Sequence, residues 1–187
     1  DSGHRLEGRI PAYAMPAVKN ASGYFAADNM DLVDLFVGSE GTLGIVTEIE
    51  LRLVPMPNAM WGVVAFFPAE DAAVRFARSL RGLDPRPAAL EFFDHGALDL
   101  LRRQRQTNPA FQEIPDMSAA WHTAIYVEYD GVSDADVEEA VMRMSKAMAD
   151  SGGDENASWT SSDEHEMERL KTFRHAVPEA VNLLIDE

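Results

Sequence analysis

The stretch Trp61-Gly62-Val63-Val64-Ala65-Phe66-Phe67-Pro68-Ala69-Glu70-Asp71-Ala72-Ala73-Val74-Arg75-Phe76-Ala77-Arg78-Ser79-Leu80 decides the fold class. Its first seven residues are apolar or glycine, a run of strand length rather than helix length. The period then changes. Ala72, Ala73, Phe76, Ala77 and Leu80 fall on one face of a helix spanning Pro68 to Leu80, and a proline near the start suits a position whose N–H has no helical partner. The alternation continues toward the C-terminus. Ala88 to Phe93 predicts a second strand, entered through Pro85 and Pro87, and Gly96 to Arg105 a helix basic on one side. Asn108 to Ala119 reads as a polar loop, and Trp121 to Tyr129 as a strand in which Ile125 and Val127 stand among polar neighbours. After the Asp130-Gly131 turn, Ser133 predicts an N-cap for a helix to about Ala149, with Asp134 and Asp136 at its positive end. Gly152-Gly153 ends it. Ala157 to Thr160 predicts a fourth strand, and Ser162 the cap of a last helix toward Ile185, bent at Pro178. Two strand–helix–strand halves with an extra helix between them predict an α+β chain, with a ferredoxin-like antiparallel sheet and helices.

Toward the N-terminus the pattern loosens. Pro55 and Pro57 read as a linker, so the expected division is residues 1–57 and residues 58–187. Gly44 to Val54 alternates between apolar and polar, which predicts a half-buried strand. Leu32, Leu35 and Phe36 predict a short helix over Asp31 to Val37, stopped by Gly38. Asp1 to Met30 is loop with short extended pieces.

Composition narrows the function classes. The 187 residues carry 16 Lys and Arg against 32 Asp and Glu, a formal charge of −16. That argues against nucleic acid as a partner and against electrostatic docking on anionic lipid, since both need a cationic face. With no cysteine, disulfides, thiolate zinc sites and cysteine nucleophiles are excluded. No apolar run approaches the roughly 20 residues of a spanning helix. The five histidines are scattered, and His165 has no second histidine at helical chelating spacing, so no metal site is expected. Asp163, Glu164, Glu166 and Glu168 read as a solvated helix start. Met142, Met144 and Met148 read as core filler, and Trp61, Trp121 and Trp159 as strand residues packing the sheet. No catalytic residue is assigned.

One segment points to chemistry: Gly38-Ser39-Glu40-Gly41-Thr42-Leu43-Gly44-Ile45-Val46-Thr47-Glu48. Three glycines in seven positions permit positive φ and a close approach to the backbone. By spacing alone this is either an ordinary helix-to-strand connection or a backbone cradle for a phosphate or a flat ring. The full string, with Lys19-Asn20-Ala21-Ser22-Gly23-Tyr24 and Leu32-Val33-Asp34-Leu35-Phe36 before it, resembles the end of the flavin-binding domain in FAD-linked oxidases of the vanillyl-alcohol-oxidase (PCMH) type. The likeness is to the glycolate oxidase flavin subunit and the D-lactate and D-2-hydroxyglutarate dehydrogenases. From Trp61 onward the chain resembles their C-terminal cap domain, through Arg174-His175-Ala176-Val177-Pro178-Glu179-Ala180.

The resemblance implies FAD as cofactor and hydride transfer from a small 2-hydroxy acid. It implies that Glu40, Gly41, Thr42, Gly44, Ile45 and Val46 line the FAD, with Ser22, Gly23 and Tyr24 close by, and that Arg174 faces the substrate carboxylate. On spacing alone Arg174 reads as a surface salt-bridge residue. The chain departs from the pattern at Phe25 to Met30, which intervenes before Asp31-Leu32. It also lacks the glycine-rich pyrophosphate loop and the histidine motifs of the family, so the expectation is a fragment of a longer, cytoplasmic enzyme. Peripheral membrane association, an electron-acceptor subunit and homo-oligomer formation are left open. A fragment of this kind is expected to bind FAD weakly or not at all. The competing expectation is a non-catalytic α+β interaction module.

Overall fold

The computed structural model describes residues 8–9, 13–18 and 23–185. The chain divides into two compact units between Val54 and Pro55.

In the second unit the elements run β1 (Ala59–Phe67), α1 (Glu70–Leu80), β2 (Ala89–Phe93), α2 (His95–Thr107), β3 (Thr123–Gly131), α3 (Asp134–Asp150), β4 (Trp159–Ser161) and α4 (Glu164–Ile185). The sheet order is β2-β3-β1-β4 with every neighbouring pair antiparallel. Two interleaved strand–helix–strand units produce this order, which is the ferredoxin-like arrangement that the period changes predict. Along β1 and β3, Val63 pairs with Val127 and Ala65 with Ile125.

The central strands are buried on both faces. Side chains alternate across a strand. Val63, Ala65, Phe67, Ile125, Val127 and Tyr129 enter one core, beneath α1 and α3. Val64, Phe66, Ala124 and Tyr126 enter a second core, beneath α2 and α4. The expected polar neighbours of Ile125 and Val127 are therefore half wrong: Ala124 and Tyr126 are buried. The polar loop after α2 also has an apolar side. Phe111, Ile114 and Met117 are buried in the second core, and the basic side of α2 holds the loop's carbonyls. Arg102 donates from Nε to the Met117 carbonyl at 3.3 Å and from Nη2 to those of Ser118 at 2.8 Å and Trp121 at 2.6 Å. Arg105 donates to the Ile114 carbonyl at 2.7 Å.

Several boundaries move. Trp121 precedes β3, yet its ring still lies 6.4 Å from that of Phe66. β4 is Trp159–Ser161 rather than Ala157 to Thr160, because Glu155–Ala157 forms a 3₁₀ turn capped by Asp154. The cap of α4 is Asp163 and not Ser162: the Glu166 N–H donates to Asp163 Oδ1 at 2.9 Å. Pro178 lies inside α4. Met144 and Met148 are core residues, whereas Met142 is exposed.

In the first unit the expected helix contracts to a 3₁₀ turn, Leu32–Leu35, with Leu32, Val33, Phe36 and Val37 exposed. The Asp31 N–H donates to Asp34 Oδ2 at 3.0 Å. Residues 44–54 form no strand, and Ile45, Ile49, Leu51 and Leu53 are exposed. The alternation is genuine, but among the described residues this unit offers no second strand to complete a ladder. No helix among the described residues is long and apolar enough to cross a membrane.

Candidate functional site

The glycine segment of the first unit folds as consecutive tight turns. Gly38 has φ 76°, Glu40 φ 51° and Gly41 φ 78°. A left-handed Glu40 is costly for a residue with a Cβ, so its neighbours must hold it. Thr42 does part of this: its N–H donates to the Ser39 carbonyl at 3.0 Å and its Oγ1 to the same carbonyl at 2.7 Å. With that hydrogen committed, the Tyr24 hydroxyl 2.7 Å away is the donor to Thr42 Oγ1. The Tyr24 carbonyl in turn accepts from the Tyr13 hydroxyl. The fold thus joins Gly23-Tyr24 to Glu40–Thr42, two stretches that the sequence nominates separately.

Among the described residues, and apart from the chain neighbours, no heavy atom lies within 4 Å of where a Cβ would stand on Gly23, Gly38, Gly41 or Gly44. The open side of each glycine leaves the backbone approachable by a flat or anionic group, and successive backbone N–H groups of a turn can line such a concavity. A cleft of about 720 Å³ adjoins Tyr24, lined by Arg9, Tyr13, Gly23, Phe25, Met30 and Leu35 among others. Ile45 and Val46 are exposed and stand outside this hydrogen-bonded network. Ser22 lies outside the described residues. Tyr13 and Arg9 were not nominated from sequence, since they sit in a stretch without periodicity.

The second unit positions Arg174 on α4. Its Nε donates to Glu91 Oε1 at 2.6 Å, and its Nη2 reaches the same oxygen at 2.5 Å. Nη1 lies 3.8 Å from Glu128 Oε2. The guanidinium carbon stands 5.4 Å from the Tyr126 ring centroid, within cation–π range. The Tyr126 hydroxyl donates to Glu128 Oε2 at 2.6 Å. Burial, then this hydrogen bond, pushes the Tyr126 hydroxyl well above the usual tyrosine range. The bond to Glu91 raises Arg174 further above its already high value. Glu91 faces Tyr126 across β2 and β3, and Glu128 is two residues along, on the same face. Sequence reading missed both acids. The available signal was a carboxylate set in or against an apolar strand run, Glu91 within Ala89-Leu90-Glu91-Phe92-Phe93 and Glu128 directly after Ala124-Ile125-Tyr126-Val127. His175 is exposed on α4, and no cluster of three or more metal-ligating side chains occurs among the described residues.

Comparison with known proteins gives these features a family. A probable mitochondrial D-lactate dehydrogenase of Danio rerio is 32% identical over 157 residues, covering 84% of this chain and 28% of its own length. The glycolate oxidase subunit GlcD of Bacillus subtilis is 42% identical over 80 residues, 43% of this chain and 16% of its own. A D-lactate dehydrogenase of Archaeoglobus fulgidus is 37% identical over 98 residues, 50% of this chain and 20% of its own. The chain thus spans less than a third of the length of these relatives. Residues 56–186, nearly all of the second unit, match the family described as FAD linked oxidases, C-terminal domain, and the chain belongs to that family.

Proposed function

We propose that this chain serves in a FAD-dependent oxidoreductase that oxidises a small 2-hydroxy acid of the D-lactate or glycolate type. In this reading residues 1–57 are the end of the FAD-binding domain and residues 58–187 are part of the cap domain. The observation that carries it is the turn from Gly38 to Gly44, whose glycines present open backbone and whose Thr42 is tied to Tyr24. Such a turn fits a flavin: it offers N–H groups to the polar edge of a ring and no Cβ to obstruct it. Glu40, Gly41, Thr42, Gly44, Ile45 and Val46 would hold the group, with Ser22, Gly23 and Tyr24 beside them. Flavin, when bound, supplies the two-electron acceptor for the hydride leaving the α-carbon.

Arg174 would bind the substrate carboxylate. A guanidinium suits that task because its fork matches a carboxylate in bidentate fashion and stays charged at every working pH. Membership of an oxidase family favours this reading over a non-catalytic interaction module. A cytoplasmic location, peripheral membrane association, an electron-acceptor subunit and self-association belong to the same reading and are tested by fractionation and co-purification.

The test uses the flavoenzyme that contains this chain. Gly41→Val places a β-branched side chain at φ 78° and fills the open side of the turn, as Gly44→Val does at its own position. Both variants are expected to purify without flavin, read as loss of the 450 nm band, and full retention removes the turn from the cofactor site. Arg174→Ala is expected to raise KM for the hydroxy acid by roughly tenfold or more. An unchanged KM removes Arg174 from the substrate site.

A further inference from the structure

Arg174 has five N–H donors, and the structure commits one edge of the fork. Glu91 Oε1 occupies the Nε–Nη2 edge at 2.6 and 2.5 Å. Glu128 stands off at 3.8 Å from Nη1 and already receives the Tyr126 hydroxyl. Donors remain on the Nη1–Nη2 edge, and two parallel N–H groups there are what a substrate carboxylate needs.

The two sides of this pairing come from different layers. Glu91 is carried by the sheet, in register opposite Tyr126, while Arg174 is carried by α4. Pro178 has no N–H to give the Arg174 carbonyl four residues earlier, so this turn of α4 loses a backbone restraint where the guanidinium emerges. An arginine side chain has many rotamers, and the sheet carboxylate selects among them. The pair is also half-exposed, with side-chain accessibilities of 29% for Arg174 and 37% for Glu91. Ion pairs in that setting contribute little to stability. Removing Glu91 is therefore a mild insult to the fold and a specific one to the direction of the fork.

We propose that Glu91 is a positioning residue for substrate binding: it fixes the inner edge of Arg174 so that the outer edge is presented to the substrate carboxylate. This rests on the reading of Arg174 as the carboxylate anchor.

The experiment compares Glu91→Ala, Glu91→Gln, Arg174→Ala and the Glu91→Ala/Arg174→Ala double variant in the flavin-loaded enzyme, with D-lactate and glycolate as probes. Glu91→Ala is expected to raise KM about five- to tenfold, the loss of an orienting charge-assisted bond, with kcat changed less than about twofold. Glu91→Gln keeps an acceptor oxygen and is expected to raise KM less than Glu91→Ala. The double variant is expected to match Arg174→Ala, because a residue acting through Arg174 has nothing left to act on. A readout independent of turnover is the Arg174 Nε–H resonance of the ¹⁵N-labelled 187-residue chain. Its exchange with water is expected to accelerate in Glu91→Ala, and Arg174→Ala identifies the signal by deleting it. If Glu91→Ala fails to fold, the Gln variant and its resonance carry the test. A KM unchanged in the Glu91 variants but raised in Arg174→Ala overturns the proposal and leaves the anchor standing. Single effects that multiply in the double variant overturn it as well. A KM unchanged in Arg174→Ala brings down the anchor and the proposal together.

Discussion

Tyr129 offers a clean perturbation of the first core. It lies on β3 opposite Trp61 in register and is 1% exposed, and its hydroxyl is buried with no hydrogen-bond partner among the described residues. A buried, unpartnered hydroxyl costs about 1–3 kcal/mol relative to its hydrated state. Tyr129→Phe removes that hydroxyl and keeps the ring, so at neutral pH the variant is expected to be more stable by about 1 kcal/mol. The advantage should grow in alkali. Burial pushes the Tyr129 pKa up to about 12 from 10.0, so between those values the unfolded chain has released a proton that the folded chain still holds. Stability carried by the neutral hydroxyl is complete below pH ~10 and is lost as pH rises through ~12, at about 1.4 kcal/mol per pH unit. Phenylalanine has no such loss, and the gap should reach about 2 kcal/mol at pH 11. Tyr126 also titrates late, but it is common to both proteins and cancels in the difference. Urea unfolding at pH 8 and pH 11, followed by tryptophan emission, is the assay. All three tryptophans, Trp61, Trp121 and Trp159, belong to the second unit, so the signal reports that unit alone. A variant less stable than the parent at pH 8, or a gap that fails to widen at pH 11, refutes the reasoning.

Other expectations follow from single contacts. Gly62→Ala directs a Cβ to within 2.9 Å of Met167 Sδ and 3.0 Å of Leu170 Cδ1, so those two side chains must repack, at a cost of about 1–3 kcal/mol read in the same urea unfolding. Phe173→Ala removes a fully buried ring 4.7 Å from that of Phe93 and 5.4 Å from that of Trp159. It should cost about 3–5 kcal/mol and alter Trp159 emission, and an unchanged urea midpoint would contradict the packing of α4. Asp163→Ala deletes the cap of α4 and should lower stability by about 1 kcal/mol, whereas Ser162→Ala should leave the midpoint in place. Titration of FAD into the 187-residue chain should give no stoichiometric complex, and a saturating 1:1 quench of flavin fluorescence would overturn that expectation.

The sequence was most legible where one rule governed a whole element. The change of period at Pro68 placed the boundary between β1 and α1 within two residues, because an amphipathic helix and a buried strand differ in period whatever surrounds them. Gly38-to-Gly44 was legible as a turn, and its positive φ values at Gly38 and Gly41 are what glycine permits. The failures came where a partner decides the state. Residues 44–54 alternate like a strand but pair with no strand among the described residues, since alternation describes a face and not a ladder. Ser162 and Asp163 are both good caps, and only the backbone path shows which oxygen meets the Glu166 N–H. The Tyr24–Thr42 contact spans 18 positions, and local pattern contains nothing of that kind.

The acids around Arg174 were hidden for a related reason, and it bears on how the site is built. Read as a single layer of helices on a sheet, Glu91 and Glu128 would face water and be unremarkable surface charges. The second layer changes their meaning. Gly62 in β1 has no side chain, and Met167 and Leu170 of α4 occupy that space. Closing α4 onto this face seats Phe173 against Phe93 and Trp159, and the next residue along the helix is Arg174. Burial of Phe173 and placement of the guanidinium over Tyr126 are thus one event. Crowding of Met167 and Leu170 by Gly62→Ala should therefore loosen the Arg174–Glu91 contact as well as lower stability. In the Arg174 Nε–H exchange experiment, that variant should resemble Glu91→Ala although every charged residue is retained. Slow exchange in Gly62→Ala, alongside a measured loss of stability, would show that the guanidinium is held by its carboxylates independently of how α4 seats, and would sever the link between core packing and the site.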